Sequence, residues 1–131
     1  MTERRESEAP PPLHELESGV MEVMWELGEV NVRQALGELN ARAEKSRAYT
    51  TVMTTMARLD RKGLLTRRRV GRTDFYSPRM SREAYVEARA QAGVDALLDR
   101  YGEAALVHFA RQIEQLDPQR RAQLRRLARR D

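Results

Sequence analysis

Cysteine is absent from the 131 residues, which removes disulfides, thiolate metal sites and cysteine nucleophiles. Histidine occurs only at His14 and His108, too far apart in sequence to build a His-rich metal cluster within one subunit. No apolar run approaches the ~20 residues a bilayer span requires, so direct membrane insertion is excluded. Lysine is nearly missing too, with Lys45 and Lys62 the only two. The opening stretch Met1–Pro12 has no apolar core of the signal-peptide kind, and its prolines Pro10, Pro11 and Pro12 forbid helix. It is expected to be a disordered arm on a soluble, cytoplasmic protein.

What is present is 40% hydrophobic and 34% charged residues, enough apolar material to fold. A chain of this length has a thin core, and oligomerisation is a natural supplement. The net charge is +4 and nearly all the cations are arginine. Arginine suits phosphate and guanine, but a GC-rich coding bias produces the same excess, so composition decides little.

Periodicity is more informative. Leu13, Leu16, Val20, Val23, Met24 and Leu27 recur at helical spacing up to Gly28. Asn31 and Gln34 then form a capping pair for a second helix carrying Val32, Ala35, Leu36 and Leu39, in which Gly37 costs about 1 kcal/mol relative to alanine. After a polar connection, Ser46 is expected to cap a third helix with Val52, Met56 and Leu59 inward, ending at Gly63. Leu64–Val70 and Asp74–Ser77 read as two strands joined at Gly71-Arg72-Thr73 and closed by Pro78. Ser81 caps a further helix to about Arg100 and Gly102 opens another. Asp117-Pro118 starts a last helix with Leu124 and Leu127 inward. The expected fold is mainly α with a small β-hairpin: an arm at 1–12, a winged helix-turn-helix head at 13–80 and a helical dimerisation region at 81–131.

A helix that enters the major groove needs short polar side chains in its N-terminal half. The third helix offers Arg47, Thr50, Thr51, Thr54 and Arg58 opposite its apolar side. Threonine hydroxyls suit bases or phosphates, their methyls suit thymine, and Arg58 suits guanine or phosphate. A merely solvated face would favour Glu, Lys and Gln over β-branched threonine. Tyr49 either offers its hydroxyl to a phosphate or packs on the second helix. Strand alternation sends Arg67 and Arg69 to the face opposite Arg68. Arg72 and Thr73 at the wing tip are the favoured backbone contacts, with Arg68 the third candidate from an otherwise undivided arginine set. No nucleophile–base pair is present for hydrolysis, so no enzyme, cofactor or metal is expected.

In order and spacing the chain resembles the BlaI/MecI (penicillinase repressor) family. The resemblance rests on Leu13-x-x-Leu16-Glu17-x-x-Val20-Met21-x-x-x-Trp25, Asn31-Val32-Arg33, Tyr49-Thr50-Thr51-Val52-Met53-Thr54 and Asp74-Phe75-Tyr76-Ser77-Pro78. It implies a transcriptional repressor that binds double-stranded DNA at a dyad operator as a homodimer. It also implies, in part of the family, a membrane-bound sensor metalloprotease as partner and inactivation by a cut before a phenylalanine in the dimerising tail. The corresponding bond here is His108–Phe109, where the family pattern has asparagine before the phenylalanine. A copper-responsive branch uses cysteines, which this chain lacks. The tail's apolar stripe, Leu106, Phe109, Ile113, Leu116, Leu124 and Leu127, exceeds what short helices hide among themselves, and a two-fold partner would cover it. The alternative is a winged-helix module that binds protein or RNA.

Overall fold

The computed structural model describes residues 9–130. In chain order the elements are α1 (Glu15–Leu27), β1 (Val30–Asn31), α2 (Val32–Arg42), α3 (Tyr49–Arg61), β2 (Leu65–Val70), β3 (Thr73–Pro78), α4 (Arg82–Tyr101), α5 (Glu103–Glu114) and α6 (Pro118–Ala128). They fall into two compact units that divide after Ala90.

The first unit is built on α1, where Val20, Val23 and Met24 of the expected stripe are buried, Met21 joins them, and Leu27 is instead exposed. Val20, Met21, Val23 and Met24 are buried against Val32, Ala35 and Leu39 of α2, Val52, Met56 and Leu59 of α3, and Leu64, Leu65, Tyr76 and Tyr85. Met21, Met24 and Met56 have no exposed surface, so truncating any one to alanine costs about 2–5 kcal/mol. Asn31 caps α2 reciprocally: its Oδ1 accepts from Gln34 N at 2.8 Å and Gln34 Oε1 accepts from Asn31 N at 2.9 Å.

The sheet has three strands in the order β1-β3-β2, all antiparallel. β1 is not legible in the sequence, because a two-residue strand has no alternation to read. Thr73 pairs with Val70 and Pro78 with Leu65, so the turn is Gly71-Arg72 alone, shorter than expected. Gly71 has φ +64°, and among the described residues only glycines have positive φ. A glycine of this kind at the first turn position is the signature of a type II′ turn, whose twist matches the hairpin.

The unit extends past the expected limit at residue 80. Trp25 donates its indole N–H to Met80 O at 3.0 Å and stacks obliquely on Tyr85 of α4, centroids 5.5 Å apart. Tyr85 in turn donates to Pro11 O at 2.9 Å, and Arg89 donates to Pro10 O at 3.1 Å. The part of the expected arm up to Glu8 lies outside the described residues. Its proline end, by contrast, is fastened to α4, because proline carbonyls without a ladder of their own are free to accept.

The second unit holds the rest of α4 with α5 and α6. Ser81 Oγ, at the start of α4, accepts from Ala84 N at 3.0 Å, and Asp117 Oδ1 caps α6 at Arg120 N at 2.8 Å, both as the sequence implied. Arg121 binds α6 to the end of α5 through Glu114 O and Leu116 O. No described residue of this unit is buried. Leu127, expected inward, is 48% exposed, and Leu106 and Ile113 are exposed as well. Phe109, Leu116 and Leu124 are half-buried.

Candidate nucleic-acid interface

The turn between α2 and α3 is stapled by one side chain. Asn40 Oδ1 accepts from Arg47 N at 2.8 Å and Asn40 Nδ2 donates to Arg47 O at 3.2 Å. With both of its backbone groups engaged, Arg47 stays outside the helix, α3 begins at Tyr49, and its N-cap is Ala48 with no side-chain cap. Ser46 is therefore not the cap the sequence suggested.

Residues 41–51 are all exposed, as are Met53 and Thr54. Tyr49, Thr50, Thr51 and Thr54 thus stand together on the open N-terminal half of α3, with Arg47 in the turn just before it, while Val52, Thr55, Met56 and Leu59 face the core. Thr55 is buried, and its hydroxyl is satisfied by Thr51 O at 2.8 Å.

Arg58 is set apart. Its guanidinium lies 3.6 Å from the carboxylate of Glu17, which Lys62 also grips at 2.8 Å. Glu17 is 1% exposed and its Oε1 accepts from His14 N at 3.0 Å. Burial pushes the Glu17 carboxyl up, but Lys62, the His14 backbone N–H and the neighbouring positive charge outweigh it and hold it below the usual carboxylate range. Glu17 was not among the residues whose burial the sequence led one to expect. Its spacing, four after Leu13, three before Val20 and seven before Met24, in fact puts it on the apolar stripe, and that is the signal that could have found it.

Carboxylates divide the wing arginines. Arg68 makes a two-pronged contact with Glu29 at 2.8 and 2.9 Å, and the Arg68 hydrogen bond holds Glu29 low despite some desolvation. Arg67 lies 3.8 Å from Asp60 and 3.9 Å from Asp74, and Arg69 lies 3.7 Å from Asp74. Arg72 has no carboxylate within 4 Å among the described residues. It sits in the turn beside exposed Thr73.

One residue of the candidate site was not among those picked from the sequence. Arg33 lies over the ring of Tyr49, its guanidinium carbon 5.1 Å from the centroid, and together with Met53, Arg72 and Thr73 these residues line one open cleft of about 420 Å³. The signal was legible: Arg33 is the second residue of α2, where a cation opposes the helix dipole. Tyr49 does pack toward the second helix, through Arg33.

In the second unit, Leu97, Tyr101, Ala104, Ala105, His108 and Phe109 line an open, largely apolar hollow. The His108–Phe109 bond is inside α5, so a protease, which needs extended backbone, requires the helix to unwind locally. No cluster of three or more metal-ligating side chains occurs among the described residues, nor is any helix there long and apolar enough to cross a membrane.

Comparison with known proteins agrees with this geometry. The model of the family described as penicillinase repressor matches residues 13–130. The transcriptional regulator BlaI of Mycobacterium tuberculosis (strain CDC 1551 / Oshkosh) is 38% identical over 117 residues, covering 84% of this chain and 81% of that protein. The penicillinase repressor of Bacillus licheniformis is 28% identical over 82 residues, covering 63% and 62%. The solution structure of the DNA-binding domain of the repressor BlaI superposes with a TM-score of 0.51 at 27% identity, over 60% of this chain and 93% of that one. On sequence and on fold, the chain belongs to the penicillinase repressor family.

Proposed function

We propose that this chain represses transcription as a homodimer on a dyad operator, α3 reading the major groove and the Gly71-Arg72 turn gripping the flanking backbone. That it is a DNA-binding repressor follows from family membership; the residues and the assembly are the proposal. The observation that carries it is the unbroken exposure of residues 41–51, Met53 and Thr54, where short polar side chains stand over an otherwise buried helix. Thr50, Thr51 and Thr54 meet base edges, while Arg47, Arg72 and Thr73 meet phosphates. Arg33, lying over the Tyr49 ring with no carboxylate within 4 Å among the described residues, offers its N–H edges to a phosphate beside Arg72. Arg58 and Arg68, each already facing a carboxylate, contribute mainly by holding the reading helix and the wing in place.

The homodimer is supported by the second unit, in which none of the described residues is buried. An isologous partner would cover Leu106, Phe109, Ile113, Leu116, Leu124 and Leu127. It would set two reading helices for half-sites about one DNA turn, ~34 Å, apart. Induction by a sensor metalloprotease cutting at His108–Phe109 fits the same arrangement, because severing α5 would dissolve the dimer. The protein acts in the cytoplasm, with no catalysis of its own.

The test is selection of retained duplexes from a random library, followed by titration of the selected site. Thr54→Ala should lose about 1–3 kcal/mol on the selected site and little on random DNA, whereas Arg72→Ala should weaken both alike and flatten the salt dependence. Unchanged affinity in both variants ends the assignment of reading helix and wing.

A further inference from the structure

The charge of this protein is not where the reading helix is. Residues 1–116 contain 18 Lys/Arg and 18 Asp/Glu, and residues 117–131 contain six arginines and two aspartates, so the whole formal excess of +4 belongs to the last 15 residues. Those six arginines, Arg120, Arg121, Arg125, Arg126, Arg129 and Arg130, lie on α6 and the two residues after it. None is within 4 Å of a carboxylate among the described residues, whereas Arg42, Arg58, Lys62, Arg67, Arg68, Arg69 and Arg82 of the first unit all are. All but Arg121 are exposed.

A solvated helix face ordinarily mixes the two signs. Here Arg121 and Arg125, Arg125 and Arg129, and Arg126 and Arg130 stand four apart, each pair repelling along the helix. The C-terminal dipole accommodates the last-turn arginines but opposes Arg120 and Arg121 in the first turn. A bound polyanion would relieve both. The apolar edge is too narrow for a bilayer surface, since it amounts to Leu124 and Leu127 with two alanines, and no aromatic side chain accompanies them.

We propose that α6 is a second, sequence-independent binding surface for the phosphate backbone of duplex DNA. It adds to the local phosphate contacts of Arg33, Arg47 and Arg72 the net positive charge that the formally neutral remainder of the chain lacks. The inference rests on the DNA-binding reading above. α3 then discriminates among sites, and α6 adds to the wing's backbone grip in setting the general affinity and its dependence on salt.

The experiment compares the full-length protein with a fourfold variant, Arg125→Gln, Arg126→Gln, Arg129→Gln and Arg130→Gln. Each is titrated against the library-selected site and a random duplex from 50 to 200 mM salt, with the dimer checked by sedimentation. The slope of log K against log salt should fall by about 0.9 for each phosphate that is no longer neutralised, roughly two per chain, and random-duplex affinity at 50 mM should drop about tenfold or more. The ratio of selected to random affinity should stay unchanged. Should the fourfold variant lose its dimer, Arg129→Gln with Arg130→Gln, beyond the body of α6, should show about half the change in slope. The all-lysine counterpart should restore the slope. Slopes equal to wild type overturn the proposal, as does loss of binding to phosphatidylserine vesicles with DNA binding intact, which would assign α6 to lipid. Absence of any preference for the selected site in the wild type would instead defeat the repressor reading, leaving the α6 slope to be judged on random DNA alone.

Discussion

At the scale of single residues, the contact with the largest leverage is the pairing of Glu17 with Lys62, one carboxylate on α1 holding the C-terminal end of the reading helix. Lys62→Ala leaves the buried Glu17 with the His14 N–H and the more distant Arg58, 3.6 Å away, and should cost about 1–3 kcal/mol, below the full penalty of a broken buried pair because Lys62 is partly exposed. The pH dependence has a definite sign. In the wild type the carboxyl is depressed in the folded state, so its contribution is present above the unfolded carboxylate range near ~4.3 and is lost as pH falls through the lower folded value. In the variant burial prevails, the folded pKa rises, and protonation relieves the strain. The stability gap between the two proteins should therefore narrow as pH drops from 7 to 4. Urea unfolding at both pH values measures it, and a gap that widens toward acid contradicts this account of Glu17.

At the scale of elements, two glycines of one composition class should respond oppositely. Gly37 is exposed inside α2, and an added Cβ would meet nothing within 4 Å, so Gly37→Ala should stabilise by about 0.5–1 kcal/mol through helix propensity and unfolded-state entropy. Gly71 has equally open surroundings but φ +64°. Gly71→Ala should cost about 1–2 kcal/mol from backbone strain alone and loosen the wing, weakening DNA binding without touching α3. Thermal unfolding of both variants decides whether backbone geometry or space governs these positions. The elements themselves were largely legible, because α1, α2 and α3 carry an unbroken helical period and the hairpin has a glycine turn between β-branched and arginine-rich runs. What escaped the sequence were contacts between distant segments. The staple from Asn40 to Arg47 closes a seven-residue loop and moves the start of α3 past Ser46. The pairing of Val30 and Asn31 with β3 depends on where the wing folds back. Trp25 and Tyr85 carry the first unit ten residues beyond its apparent end. Periodicity sees neighbours along a chain, and these partners are not neighbours. The candidate site divided likewise: the shared exposure of Thr50, Thr51 and Thr54 was readable from helical spacing, whereas the split among the wing arginines required knowing where Glu29, Asp60 and Asp74 lie.

At the scale of the whole molecule, the second unit poses the sharpest energetic question, since a unit in which none of the described residues is buried cannot offset its own ordering entropy of about 1–2 kcal/mol per residue. A second copy would be the economical source of burial, and in the proposed dimer it would couple assembly to DNA affinity, because two heads joined through the tails would bind a dyad at high effective concentration while a lone head would grip only half of it. Phe109, half-buried beside the hollow lined by Leu97, Tyr101 and Ala105, is the residue through which to test this. Phe109→Asp places a carboxylate in the proposed seam at about 2 kcal/mol or more, and two-fold symmetry counts it twice, so the dimer constant should weaken about a thousandfold. The first unit holds its own core without the tail, so the variant should keep a cooperative unfolding transition and retain weak, Thr54-dependent binding to a half-site. A chain ended at His108 should behave the same way, which is what a cut at that bond would achieve. Sedimentation with operator titration reads both quantities on one sample: a monomeric variant that still binds the full dyad with wild-type affinity would sink the coupling, and an intact dimer would show that the seam lies elsewhere than along Leu106, Phe109 and Ile113.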